Sequence, residues 1–115
     1  MKDQVSFEGI GQVAATFYAD DGVKAGHVVK LSADSTVAPC TEGEKFFGVA
    51  ITDAKDGCAG VQAAGFAVVP CAGGVTAGYV SLAADGNGGV KKADSAGTEY
   101  LVVADNGDGT ITIKM

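Results

Sequence analysis

A chain of 115 residues with a net charge of −6, eight lysines and no arginine argues against several roles before any motif is read. Arginine supplies the bidentate fork that grips phosphates and guanines, and cationic charge supplies most nucleic-acid affinity, so DNA, RNA and anionic membrane surfaces are poor partners. The length suits one domain, 47% hydrophobic residues can fill a core without disulfides or metal, and no apolar run reaches the roughly 18 residues of a membrane span.

The chain begins with the polar Met1-Lys2-Asp3-Gln4 and no hydrophobic stretch behind it, so no signal peptide is expected and synthesis in a cytoplasm is. Residues 1–11, with Gly9 and Gly11, form a candidate N-terminal arm ahead of a single β domain spanning 12–115. Residues 12–19 then alternate, with Val13, Ala15 and Phe17 on one face. Further strands are expected at 27–31, 35–40 and 46–53. Residues 66–71 are almost continuously apolar and are expected in the middle of the core. Strands at 79–83, 89–92 and 100–104 follow, and Thr110-Ile111-Thr112-Ile113-Lys114 has strict period-two patterning. It is joined to the preceding run by Asp105-Asn106-Gly107-Asp108-Gly109, whose Asn-Gly and Asp-Gly steps favour the positive φ angles of a hairpin.

Eighteen glycines punctuate the chain. The longest glycine-free stretch, 27–42, holds Val28, Val29, Thr36, Val37 and Pro39, which makes a poor helix. Short apolar runs at intervals of roughly 8–12 residues indicate an all-β sandwich or compact barrel with little or no helix. The apolar set is mainly Ala and Val, which fits thin sheet layers. It leaves each protomer modestly stable and favours association.

Gly22-Val23-Lys24-Ala25-Gly26 recurs as Gly74-Val75-Thr76-Ala77-Gly78. Each copy leads to a strand ending in Leu31 or Leu82, an acidic turn at Asp34 or Asp85, and a short strand with Val37 or Val90. Each then reaches an aromatic-led strand, Phe46-Phe47-Gly48-Val49-Ala50 or Tyr100-Leu101-Val102-Val103-Ala104, and an Asp-Gly turn at Asp56-Gly57 or Asp108-Gly109. The fold is therefore expected to hold two duplicated β-meander units, approximately 22–57 and 74–109, sharing one core and linked by a strand through 66–71.

Chemistry is thin. His27 is the single histidine, its counterpart in the second copy is Tyr79, and no G-x-S-x-G elbow accompanies it, so a strand-entry ring explains it better than a catalytic base. Cys40, Cys58 and Cys71 make an odd set without a C-x-x-C pair or zinc spacing, as expected of thiols from a reducing compartment. Asp105 to Gly109 lacks the glutamate that a calcium loop needs, and Asp53 with Asp56 forms a similar turn. Gly86-Asn87-Gly88-Gly89 has no Gly-Lys-Ser/Thr and no helix behind it. The expectation is no enzyme, no cofactor, and no catalytic, cofactor-binding or metal residues.

The run Phe47-Gly48-Val49-Ala50-Ile51-Thr52-Asp53-Ala54-Lys55-Asp56-Gly57, together with the G-V-x-A-G turns and Val75-Thr76-Ala77-Gly78-Tyr79-Val80-Ser81-Leu82, resembles the small capsid cement or decoration proteins of tailed bacteriophages over about 12–115. Some small members of that group are labelled phage recombinase, a label that the missing P-loop and cationic surface argue against. The resemblance implies a β-barrel-like virion protein that binds the outside of the assembled capsid, contacts the major capsid protein, stabilises the shell, and associates as a homotrimer. It also implies that residues 1–11 add a strand to the capsid protein. The alternative reading is a non-catalytic ligand- or glycan-binding β-module of a fibre or surface protein, for which Tyr18, Tyr79 and Tyr100 are the available tyrosines. A small hydrolase would hang on His27 alone.

Overall fold

The computed structural model describes residues 12–94 and 97–115, and the candidate arm 1–11 lies outside the described residues. The regular structure there is all strand: β1 (Val13–Ala19), β2 (Val28–Ala33), β3 (Thr36–Pro39), β4 (Gly48–Ala50), β5 (Cys58–Ala64), β6 (Phe66–Pro70), β7 (Gly78–Ala84), β8 (Val90–Lys92), β9 (Thr98–Asp105) and β10 (Thr110–Lys114). The first five close a barrel in the order β1-β3-β2-β4-β5, and the last five form a sheet in the order β6-β10-β9-β7-β8. The all-β barrel expectation holds.

Local chemistry sets the turns. Lys55 and Cys58 exchange backbone bonds of 2.9 and 3.1 Å around Asp56 (φ 55°) and Gly57 (φ 76°), two left-handed residues whose twist matches the flanking strands. Asp105 and Asp108 cap the last hairpin through Gly107 N–H (3.0 Å) and Thr110 N–H (3.0 Å). In both G-V-x-A-G turns the outer glycines take positive φ, and Val23 between them is buried at 3% exposure.

Strand alternation divides the core in two. Val29 and Ala50 point into the barrel with Val23, Val37, Ala59 and Val61, while their neighbours Val28 and Val49 point out of it. Those outward residues, with Cys40 and Phe46, pack against Val69, Leu82, Val90, Val102, Ile111 and Ile113 of the second sheet. The barrel wall thus caps the second sheet. Loop 40–46 seals the join through Gly43 N–H to Ala84 O and Ala84 N–H to Glu44 O, each 2.9 Å.

Three sequence expectations change. β5 was not expected as a strand, because Cys58-Ala59-Gly60-Val61-Gln62-Ala63-Ala64 is rich in Ala and Gly, and its pairing with β1 and β4 defines it. The strand expected over 46–53 shrinks to Gly48–Ala50, since Phe46 and Phe47 serve packing and Ile51-Thr52 bends away. Residues 66–71, expected in the middle of the core, do supply Ala67, Val69 and Cys71 to it, but among the described residues β6 pairs with β10 alone and Val68 is 56% exposed.

Counted from its own first strand, each sheet has the same order, first-fifth-fourth-second-third. The barrel adds one seam, β1 with β3, held by Tyr18 N–H to Ser35 O and Asp20 N–H to Val37 O at 2.9 Å each. Tyr18 lies opposite Cys58, the first residue of β5; Pro70 lies opposite Thr110, the first residue of β10. Pro70 therefore stands where Tyr18 stands, and it has no N–H to donate across the corresponding seam. Among the described residues the second sheet stays open.

Candidate interaction surface

The residues singled out for chemistry are scattered. His27 lies half-buried at the entry to β2, and its ring covers Gly88 so closely that a Cβ there would sit 2.4 Å from the imidazole Cγ. The cleft around it is lined by Lys24, Pro39, Cys40 and Asn87 and contains no carboxylate. Its thiol, Cys40, is buried, and burial followed by the Glu44 charge pushes its pKa up to about 11, so it stays protonated at neutral pH. Tyr79, the counterpart of His27, stands 72% exposed on β7 and shares no cleft with it.

Cys71 is buried and Cys58 half-buried, and all three thiols are free. Asp53 Oδ1 accepts the Ala25 N–H at 2.8 Å, which ties the first G-V-x-A-G turn to the end of β4. Asp85 Oδ1 accepts the amides of Asn87 (2.7 Å) and Gly89 (3.1 Å) and so folds the Gly86 to Gly89 turn on itself. These carboxylates act as turn caps. Among the described residues no three His, Cys, Asp or Glu side chains gather as metal ligands.

Among the described residues the fold also exposes several large apolar side chains. Val13 (58% exposed) and Ala15 share the barrel-facing side of β1 with Phe17, yet only Phe17 and Ala19 on that strand reach the barrel core. Phe17 meets Phe47 edge-on, ring centroids 5.6 Å apart. Leu31 lies exposed beside Phe47, two residues beyond the fully buried Val29 on the same strand. Among the described residues β3 pairs with β1 only at Tyr18 and Ala19, so β5 alone flanks the Val13 half of β1, and β4 pairs with β2 only at Val28 and Val29, short of Leu31. Tyr18, 64% exposed, lines a cleft with Thr16, Ser35 and Cys58. The surrounding charge is organised by two ion pairs, Lys30 with Glu44 at 2.8 Å and Lys91 with Glu42 at 2.7 Å.

The chain is similar in fold to the head fiber gp8.5 N base of bacteriophage phi29, known from its crystal structure, with a TM-score of 0.64 and 18% sequence identity. The match covers 90% of this chain and 93% of that one. No family model and no curated protein matches the sequence.

Proposed function

We propose that this chain is a non-catalytic structural protein of a bacteriophage virion, which binds the outer surface of the capsid through the major capsid protein and stabilises the shell. The observation that carries this reading is the near-complete fold overlap with a phage head fiber base. Supporting it are an Arg-free, acidic composition unsuited to nucleic acid and the exposed apolar residues of β1 and β2, which offer anchors for a protein partner. The shared strand order of the two sheets supports reading the chain as a duplicated unit. A core built largely of valine and alanine gains from association with neighbours, and the resemblance to capsid decoration proteins implies that this association is a homotrimer on the shell.

The test is co-sedimentation of the purified protein with expanded heads of the phage that encodes it, followed by heating of the decorated heads. Saturable binding at micromolar protein and a raised rupture temperature are expected. Heads that sediment bare and rupture at the undecorated temperature would sink the proposal.

A second reading, a ligand- or glycan-binding base within a fibre, is favoured by the exposed rings of Tyr18 and Tyr79. Sugar recognition stacks pyranose faces on such rings. A glycan array separates the readings, since specific hits abolished by Tyr79→Ala belong to the second alone.

A further inference from the structure

The chain holds two asparagines, Asn87 and Asn106, and glycine follows each. Glycine in that place lets its backbone nitrogen reach the carboxamide carbon of the asparagine with no side chain in the way. Whether it does so depends on what holds the carboxamide and the peptide that joins the pair. At Asn106 both are held. The carboxamide Nδ2 donates to Thr110 Oγ1 (3.1 Å) and Thr112 Oγ1 (3.2 Å), and the Gly107 N–H donates to Asp105 Oδ1 (3.0 Å).

Asn87 is set the opposite way. Asp85 Oδ1 fixes the amides on either side of the pair's peptide, those of Asn87 (2.7 Å) and Gly89 (3.1 Å), and the Gly88 carbonyl accepts the Val28 N–H (2.9 Å). Between those anchors, among the described residues, no hydrogen bond holds the Asn87 carboxamide, the Asn87 carbonyl or the Gly88 N–H. The peptide joining the pair can therefore swing, and Asn87 is exposed to water. The fold also demands the glycine. Gly88 has φ 91°, and a Cβ there would sit 2.4 Å from the His27 ring.

We propose that Asn87 is a site of spontaneous deamidation through a succinimide, and that the same fold spares Asn106. The Gly88 nitrogen bonds to Asn87 Cγ, the Cγ–Nδ2 bond breaks, and the side-chain nitrogen leaves as ammonia carrying the proton that Gly88 gives up. Water then opens the ring, and no oxidant or reductant is needed. Attack of water at Cγ leaves aspartate. Attack at the backbone carbonyl carbon of residue 87 leaves isoaspartate, whose main chain runs through Cγ and is one methylene longer. That methylene displaces the Gly88 carbonyl from the Val28 N–H, a bond that ties the first barrel residue of β2 to the turn between β7 and β8. Ageing at this turn thus loosens the join between barrel and second sheet. This inference stands apart from the virion reading.

Incubation of the intact chain in warm neutral buffer, followed by peptide mapping with mass spectrometry, tests it. In the folded protein Asn87 is expected to convert at least about tenfold faster than Asn106, whose three hydrogen bonds must open first. In urea the two rates are expected to converge. Equal rates in the folded protein overturn the proposal, as does an Asn87 that stays intact when folded yet converts in urea. A gap of the same size in urea also overturns it, because local sequence and not the fold would then set the rates. Amide exchange read by NMR tests the consequence: the Val28 amide is expected to exchange at least about tenfold faster in the isoaspartyl form than in Asn87→Asp, which gains the charge without the methylene. Equal Val28 protection in the two would overturn the claimed loosening of the join.

Discussion

Phe46 and Tyr100 stack with ring centroids 4.8 Å apart and planes 11° from parallel, and the Tyr100 hydroxyl donates to the Phe46 carbonyl at 2.7 Å. One ring comes from the barrel side and the other from β9, so this pair pins the two sheets together through both apolar contact and a hydrogen bond. Tyr100→Phe keeps the stack and strands the carbonyl, and should cost about 1 kcal/mol. Phe46→Ala, which empties a 4% exposed site, should cost about 3–5 kcal/mol. Urea denaturation measures both. Equal losses would show that the ring contact carries no more than the hydroxyl does.

The same pair makes the fold sensitive to alkali. Burial, with the Cys40 charge adding to it, pushes the Tyr100 pKa up to about 12, and burial with Glu44 pushes Cys40 up to about 11. Both groups keep their proton in the folded state after the unfolded chain has lost it. Their contribution is whole below about pH 9 and is lost as pH rises through 9–12. Tm should therefore fall across that window, and Tyr100→Phe should flatten the upper part of the fall. An unchanged profile in Tyr100→Phe would remove this tyrosine as a cause.

Acid acts through Glu44. Its carboxylate accepts two hydrogen bonds from Lys30 Nζ at 2.8 Å and the Thr41 amide at 2.7 Å, and these hold its pKa down to about 2. A lowered folded pKa contributes stability above about pH 4.5 that fades as pH falls toward 2. Glu44→Gln should lower Tm at pH 6 and converge on the parent near pH 2. A constant offset at both pH values would mean that the side chain matters for packing, not charge.

Gly48 is required by space. A Cβ there would lie 2.6 Å from the Gln62 carbonyl and 2.8 Å from Val61 Cγ1, both on the neighbouring β5. Gly48→Ala should cost about 1–3 kcal/mol by overpacking. Gly43→Ala provides the contrast, since nothing lies within 4 Å of its Cβ and only its φ of 85° opposes the change. A Gly48→Ala protein as stable as the parent would mean that β4 and β5 can separate slightly at no cost.

Strands with a clear period were legible in the sequence: Ile111 and Ile113 alternate with threonine and are fully buried, as their pattern implies. β5 was not, because Ala59, Gly60 and Ala63 have little intrinsic preference for a strand and take that form only between β1 and β4. Continuous apolarity misled at β6. Phe66-Ala67-Val68-Val69-Pro70 reads as a core strand and does bury Ala67 and Val69, yet Pro70 lacks the N–H that the β1–β3 seam uses at Tyr18, and among the described residues β6 pairs with β10 alone. The exposure of Val13 and Leu31 was illegible because, among the described residues, it depends on how far their neighbours extend: β3 pairs with β1 only at Tyr18 and Ala19, and β4 with β2 only at Val28 and Val29.

That comparison of seams predicts the result of moving the proline. The Tyr18 amide donates across the β1–β3 seam to Ser35, while the adjacent Ala19 amide donates the other way, to Gly57 at 2.8 Å. Tyr18→Pro deletes the first donor, and the lost ring was 64% exposed, so little packing goes with it. The variant should lose roughly 1–2 kcal/mol, somewhat more than one hydrogen bond, because the short seam has one other cross-strand bond near it, from Asp20 N–H to Val37 O. In hydrogen exchange the Asp20 amide should speed up markedly while Ala19 stays protected, turning the barrel into an open sheet like its neighbour. If both amides accelerate together, the damage is global, and the absent N–H of Pro70 is not what keeps the second sheet from closing.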